Sequence, residues 1–78
     1  MPVKVYVFVI TDAGHTKKVF EALKEVPGVT EIHEVMGPYD IIVELEAPNL
    51  VDVPPILSKE IRTIPGVQTT TSLVAFPD

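Results

Sequence analysis

The sequence predicts an α+β fold of the ferredoxin-like type: a β-α-β-β-α-β chain with an antiparallel four-stranded sheet ordered 4-1-3-2 and both helices on one face. Segments with strand periodicity alternate with two segments of helical periodicity. The tripeptide Pro-Gly-Val occurs at residues 27–29 and again at 65–67, each time between a helical segment and a strand. The chain therefore divides into two similar halves, and its 78 residues suffice for one core.

The first half predicts a strand, a helix and an edge strand. Residues 3–10 are rich in β-branched and aromatic side chains and alternate with strand period, although both faces are apolar. Residues 15–26 carry apolar side chains at helical spacing, and a Pro-Gly pair ends that helix. Residues 29–36 are more polar, as is typical of a strand at the edge of a sheet.

The second half repeats this order after a turn. Residues 41–47 predict a strand in the centre of the sheet, beside the first. The adjacent Pro54 and Pro55 fit only the first turn of a helix, where their missing N–H groups have no helical partner. Asp52 is therefore predicted to be the N-cap of a continuous second helix. The next Pro-Gly pair ends it, and residues 67–76 predict the fourth strand.

Two helices on one face leave the other face of the sheet uncovered. An apolar patch on so small a domain marks an interaction surface, and a chain of this length gains stability from burial between subunits. We therefore expect a homo-oligomer, at least a dimer in which sheet packs on sheet. The residues expected in this dimer interface are Tyr6, Phe8, Ile10, Val74 and Phe76.

Composition excludes several classes of protein. The chain has no cysteine, which rules out disulfides, thiol nucleophiles and Cys-ligated zinc. Its net charge of −5 opposes direct binding to nucleic acid. The longest apolar run is too short to span a membrane, and no signal peptide is recognisable, so we expect a cytoplasmic protein without a membrane partner.

The residues that could support catalysis do not form a catalytic constellation. His33 and Glu31 share a strand face but supply only two metal ligands, which favours a solvated edge strand over a metal site. His15 is expected to face solvent in a first helical turn, and Ser58 has no histidine partner. The sequence therefore predicts no enzyme, no metal and no cofactor.

Two short segments have the chemistry that a free amino acid requires. The turn Gly37 to Asp40 offers a carboxylate for an ammonium group, and the hydroxyl run Thr69 to Ser72 offers donors for a carboxylate. The same residues are also ordinary turn and strand residues, so both readings stay open on chemistry alone.

The order of these motifs resembles a known family. The matching features are the two Pro-Gly-Val turns at 27–29 and 65–67, the Gly-x-Tyr-Asp-Ile sequence at 37–41, and Thr70 with Ser72 before an apolar strand end. Together they resemble the effector-binding domain of the Lrp/AsnC transcriptional regulators, called RAM for regulation of amino-acid metabolism. The resemblance extends over nearly the whole chain.

This resemblance implies a function and a set of site residues. Members of the family form dimers through their sheets, assemble further into octamers or related rings, and bind free amino acids at contacts between dimers. The corresponding ligand-binding residues here are Gly37, Tyr39, Asp40, Thr70 and Ser72. Asp40 is expected to hold the ammonium group of the ligand, with its replacement by Ala leaving the fold intact.

The chain also departs from the family pattern. Ser72 replaces the more usual threonine, and Pro54 with Pro55 interrupts the expected second helix. No helix-turn-helix domain precedes the first strand, so residues 1–78 are expected to form a single, stand-alone ligand-binding domain. Such a domain would influence transcription by co-assembling with full-length Lrp/AsnC regulators.

Alternative functions follow from the same fold. A structural oligomerisation subunit would have the same interfaces and no ligand. A small dimeric ferredoxin-like enzyme would need an acid/base pair that this sequence lacks. An RNA-binding domain conflicts with the charge, and an amino-acid-binding ACT-type module would use different loops.

Overall fold

The computed structural model describes residues 2–76 as one four-stranded antiparallel sheet with helices on one side. The strands are Val3–Thr11 (β1), Val29–Glu34 (β2), Ile41–Ala47 (β3) and Val67–Val74 (β4), and the first helix is Thr16–Leu23 (α1). Their order in the sheet is β2-β3-β1-β4, which confirms the predicted 4-1-3-2 arrangement. β1 and β3 are central, and β2 and β4 are the edges.

Alternation along β1 decides which face the helices cover. Val5, Val7 and Val9 are fully buried, while the residues between them are half-buried. The core lies between these valines, the matching residues of β3 and the helices, and its members are Val5, Val7, Val9, Val19, Leu23, Val26, Ile41, Val43, Leu45, Ala47, Val53, Leu57 and Ile61. A continuous apolar layer on one side of the sheet thus explains why all the helical segments pack there.

Helix α1 is shorter than the predicted span 15–26. Its last regular turn ends at Leu23, and the N–H groups of Glu25 and Val26 then bond to carbonyls three residues back, at 3.1 and 3.2 Å. This tightening precedes Pro27, whose ring disfavours helical backbone at the preceding residue. Val26 is nonetheless buried at the end of the apolar stripe.

The second helical segment is not a continuous α-helix. A 3₁₀ turn at Leu50–Asp52 leads into an α-turn at Val53–Pro55 and then a π-helix at Ile56–Ile61. The prolines do occupy the first α-turn, as predicted. Asp52 occupies the predicted N-cap position before this α-turn, but its side chain makes no capping hydrogen bond there. Its carboxylate instead accepts the Asn49 N–H at 3.1 Å and closes the preceding 3₁₀ turn. Within residues 2–76, no helix is long and apolar enough to cross a membrane.

The two Pro-Gly-Val turns bring backbone against a neighbouring element. Gly28 has φ +92°, and a Cβ there would collide with the backbone carbonyl oxygen of Glu46. Gly66 has φ +100°, and a Cβ there would lie 2.8 Å from the Cβ of His15 and 3.0 Å from Val19. The repeat therefore uses glycine for its conformation and for close packing.

The uncovered face of the sheet carries Tyr6, Phe8 and Ile10, as predicted. All three are half-buried, and Ile42 lies beside Phe8 across the β1–β3 pair. The ring of Tyr39 packs against that of Phe8 with centroids 5.1 Å apart. We call this apolar surface the open face.

The predicted placement of Val74 on the open face is wrong. The register pairs Val74 with Val5, and directly paired residues of antiparallel strands point to the same side, so Val74 faces the helix-covered side. Leu73, paired with Tyr6, takes its place on the open face and is 51% exposed. Phe76 follows the end of β4 and is almost fully exposed.

Candidate functional site

The turn between β2 and β3 is fastened to the end of β1 through Asp40. The backbone N–H of Asp40 donates to the Val9 carbonyl at 2.9 Å, and its carbonyl accepts the Val35 N–H at 2.9 Å. Gly37 is exposed and has φ +149°, a value that few other residues adopt. The turn thereby holds its carboxylate beside the last residues of β1.

The carboxylate of Asp40 has a structural partner. Its Oδ2 accepts the backbone N–H of Thr11 at 2.8 Å and the Thr11 hydroxyl at 3.2 Å. The Thr11 and Thr16 hydroxyl oxygens are 2.6 Å apart. Because a carboxylate only accepts, Thr11 donates to Asp40 and Thr16 donates to Thr11. This chain of hydrogen bonds links the turn to the first residue of α1.

One carboxylate oxygen of Asp40 is still available for a ligand. Within the described part of the chain, Oδ1 has no hydrogen-bond partner, and Asp40 is half-buried. Asp40 can therefore bind an ammonium group through Oδ1 while Oδ2 holds Thr11. Because Asp40 also holds Thr11 in place, the prediction that Asp40→Ala leaves the fold intact conflicts with the structure.

The hydroxyl run on β4 is divided between the two faces of the sheet. Thr70 pairs with Val9 and Ser72 with Val7, so both lie on the helix-covered side and are half-buried. Thr69 pairs with Ile10 and is exposed on the open face. Of the four hydroxyl side chains in this run, only Thr70 and Ser72, the two that the resemblance assigns to the site, thus lie on the helix-covered side.

Arg62 is a polar neighbour that the sequence reasoning missed. Its Nε–H donates to the Thr70 hydroxyl at 3.2 Å. A surface groove of about 300 Å³ beside them is lined by Arg62, Val67, Gln68, Thr69 and Thr70. Arg62 is the one arginine in the sequence, and this was the available signal, since a guanidinium is well suited to binding carboxylates.

The groove that contains Thr70 is not lined by any residue of the turn Gly37 to Asp40. β1 lies between β3 and β4, so the backbones of these two strands are two strand spacings, roughly 10 Å, apart. The amino and carboxylate groups of one α-amino acid are much closer together. Asp40 thus lies on one side of β1 and Thr70 on the other, and we call these two places the half-sites.

The remaining polar candidates are surface features. His33 Nε2 lies 3.1 Å from Glu31 Oε1, and both side chains are more than 60% exposed, as expected for a solvated edge strand. Among residues 2–76, no three His, Asp or Glu side chains come together as metal ligands would. A second groove, of about 420 Å³, lies at the opposite end of the sheet, where Gly28 approaches Glu46, and contains none of the predicted site residues.

A sequence model of the Lrp/AsnC ligand binding domain matches residues 4–77. The chain belongs to this family. The Lrp/AsnC assignment confirms the resemblance drawn from the turns and the Gly-x-Tyr-Asp motif, and it agrees with the observed strand order.

Curated relatives place this Lrp/AsnC domain within larger proteins. An uncharacterized HTH-type transcriptional regulator of Pyrococcus furiosus is 39% identical over 66 residues, which are 83% of this chain and 44% of that protein. A homocitrate synthase of Sulfurisphaera tokodaii is 41% identical over 61 residues, or 77% of this chain and 13% of the enzyme. The chain thus spans less than half the length of these relatives.

Two solved structures share the fold of this Lrp/AsnC domain. The crystal structure of FFRP-DM1 superposes with a TM-score of 0.90 at 34% identity, over 95% of this chain and 99% of that one. The transcriptional regulator NMB0573 of Neisseria meningitidis, solved as its L-Met complex, superposes with a TM-score of 0.85 over 97% of this chain and 51% of that one. At 14% identity, this second likeness shows the fold alone.

Proposed function

We propose that residues 1–78 act as a single amino-acid-sensing oligomerisation domain in the cytoplasm. A free amino acid binds where two copies meet, and the resulting change in assembly modulates transcription through co-assembly with full-length Lrp/AsnC regulators. The observation that carries this proposal is the pair of half-sites: the Asp40 carboxylate on one side of β1 and the Thr70 hydroxyl on the other.

The chemistry of each half-site fits one end of an amino acid. Asp40 offers Oδ1 to an ammonium group, and the backbone around Gly37 and Tyr39 is accessible beside it. Thr70 and Ser72 offer hydroxyl groups to a carboxylate. Because the backbones of β3 and β4 are roughly 10 Å apart in one chain, a single amino acid would use Asp40 from one copy and Thr70 from another.

The open face supports self-association. Tyr6, Phe8 and Ile10 form an apolar strip that neither helical segment covers, with Leu73 exposed beside it. Burial of such a strip is favourable by about 25 cal/mol per Å² of apolar surface. Pairing through this face would leave the half-sites at the end of β1 to meet a further dimer, as in an octamer or related ring.

The family relationships support the regulatory and ligand parts of the proposal. The P. furiosus relative is named as an HTH-type transcriptional regulator, and the N. meningitidis regulator of the same fold was solved with L-Met. The homocitrate synthase match concerns a small part of that enzyme, and the His33–Glu31 pair of this chain lies exposed on an edge strand, outside either groove. These relationships favour effector sensing over turnover.

A thermal-shift screen of the twenty amino acids, repeated on a sizing column, tests the proposal. A ligand at ten times its Kd stabilises by about 1.4 kcal/mol, which for a domain this small raises Tm by about 6–11 °C. We expect one amino acid or a related few to raise Tm and shift the elution volume together. No change with any amino acid would contradict sensing and favour a purely structural subunit.

Co-assembly has a separate test. The chain is mixed with the P. furiosus regulator that is 39% identical to it, and the masses of the complexes are measured by native mass spectrometry. Mixed species containing both proteins are expected. If each protein formed only homo-oligomers, co-assembly with this relative would be contradicted. Amino-acid binding would be unaffected by that result, because the thermal-shift screen tests it separately.

A further inference from the structure

The groove between the second helical segment and β4 has the features of an anion subsite. We propose that Arg62 and Thr70 bind the carboxylate group of the amino-acid ligand in this groove, an assignment that rests on the proposed sensing function. Arg62 supplies the charge, and Thr70 supplies a hydroxyl donor. The groove volume of about 300 Å³ is at the small end of ligand pockets, which suits a ligand of this size.

The π-helix places Arg62 next to β4. The N–H of Arg62 donates to the Leu57 carbonyl, five residues back, at 2.9 Å, so the last turn is wider than an α-turn. Leu57 and Ile61 are both buried and anchor the segment on the sheet. The wide turn therefore ends with Arg62 beside the strand, where its Nε reaches Thr70 at 3.2 Å.

The hydrogen bond between these residues leaves both with donors for an anion. Thr70 Oγ1 accepts from Arg62, so the Thr70 hydroxyl hydrogen is free to donate elsewhere. Among the described residues, the four terminal N–H groups of Arg62 have no hydrogen-bond partner, and no carboxylate lies within 4 Å of its guanidinium. Guanidinium groups bind carboxylates with two parallel hydrogen bonds, which a lysine cannot do.

The end of a helix normally repels an anion, because its last carbonyls carry partial negative charge. Here three carbonyls near the end of the segment accept hydrogen bonds. Lys59 O accepts the Thr63 hydroxyl at 2.7 Å, Leu57 O accepts the Arg62 N–H, and Ile61 O accepts the N–H of Ile64 at 3.1 Å. These bonds reduce the repulsion, and Arg62, the one arginine of the sequence, places a cation beside Thr70.

The test compares Arg62→Gln with Lys59→Gln, which removes a cation from the same segment. Each of the twenty L-amino acids is titrated into the full chain by calorimetry, and those that bind are compared with their α-amides. We expect at least tenfold weaker binding in Arg62→Gln, unchanged binding in Lys59→Gln, and a similar loss when the amide replaces the acid. In Arg62→Gln the acid and the amide should bind about equally.

The outcomes separate the subsite from the proposed function. If the unmodified chain binds an amino acid and Arg62→Gln binds it equally well, the subsite assignment is overturned and sensing stands. If the unmodified chain binds no amino acid, both are overturned. Sodium phosphate and sodium acetate are titrated at matched ionic strength; a groove that holds phosphate without affecting amino-acid affinity would be an inorganic-anion site, which also overturns the assignment.

Discussion

Removal of the Asp40 carboxylate should destabilise the fold as well as affect ligand binding. In Asp40→Ala, the Thr11 N–H and hydroxyl both lose their acceptor, at a residue that is 8% exposed. Hydrogen bonds to a charged group contribute about 1.5–3 kcal/mol, and an unpaired buried donor costs a comparable amount. Since Asp40 itself is half-exposed to solvent, we expect a loss of about 1–3 kcal/mol in the free energy of unfolding.

The conservative variant separates the contact from the charge. Asp40→Asn keeps an oxygen that can accept the Thr11 N–H, so it should lose less than about 1 kcal/mol. Thr11→Val removes the hydroxyl and leaves the backbone N–H bonded, so its cost should fall below that of Asp40→Ala. Asp40→Asn is also the better variant for ligand titrations, because it alters the charge offered to an ammonium group while preserving the turn.

Urea unfolding followed by circular dichroism measures these differences. All variants are compared at one protein concentration, because association stabilises the folded state. A loss of 2 kcal/mol would lower the midpoint by about 2 M for a small domain with a slope near 1 kcal/mol/M. An Asp40→Ala variant within about 0.5 kcal/mol of the parent chain, the range of an ordinary surface change, would refute the tether between Asp40 and Thr11.

Three further substitutions test the packing. Gly28→Ala should lower the free energy of unfolding more than Gly14→Ala does. Both glycines have positive φ, but only a Cβ at Gly28 would collide with the backbone of Glu46. Equal losses in the two variants would contradict that close contact. Leu45→Ala, in the fully buried core, should lose about 2–5 kcal/mol by urea unfolding, and a loss below 1 would place Leu45 outside a packed core. Phe8→Asp should shift the chain toward monomer in sedimentation velocity, and an unchanged oligomer would exclude the open face as the interface.

Periodicity was sufficient for the fold but not for every side chain. The alternation in β1 and the two Pro-Gly-Val turns predicted the element order and the sheet order that the structure has. Assigning Val74 to the open face failed because a strand of period 2 reverses its faces when its register changes by one residue. That register depends on the pairing of Val74 with Val5, a contact between the two ends of the chain that local pattern does not reveal.

The candidate site was harder to predict for a different reason. Asp40 was recognised as a carboxylate for a ligand, but its bond to Thr11 joins residues 29 positions apart and depends on the tertiary fold. Arg62 was overlooked because the segment after Pro54 and Pro55 was predicted to be an ordinary α-helix, which does not indicate that its end contacts Thr70. Their segment continues as a π-helix, and that geometry brings Arg62 to Thr70.

The separation of the half-sites makes ligand affinity depend on assembly. If Asp40 and Thr70 of different copies hold one amino acid, the site exists only in the oligomer, and the apparent affinity falls with the fraction of assembled chains. Diluting the protein through its dissociation range should therefore weaken binding. Fluorescence or NMR titrations over a hundredfold range of protein concentration would measure this. Equal affinity over that whole range would mean that one copy binds the ligand alone.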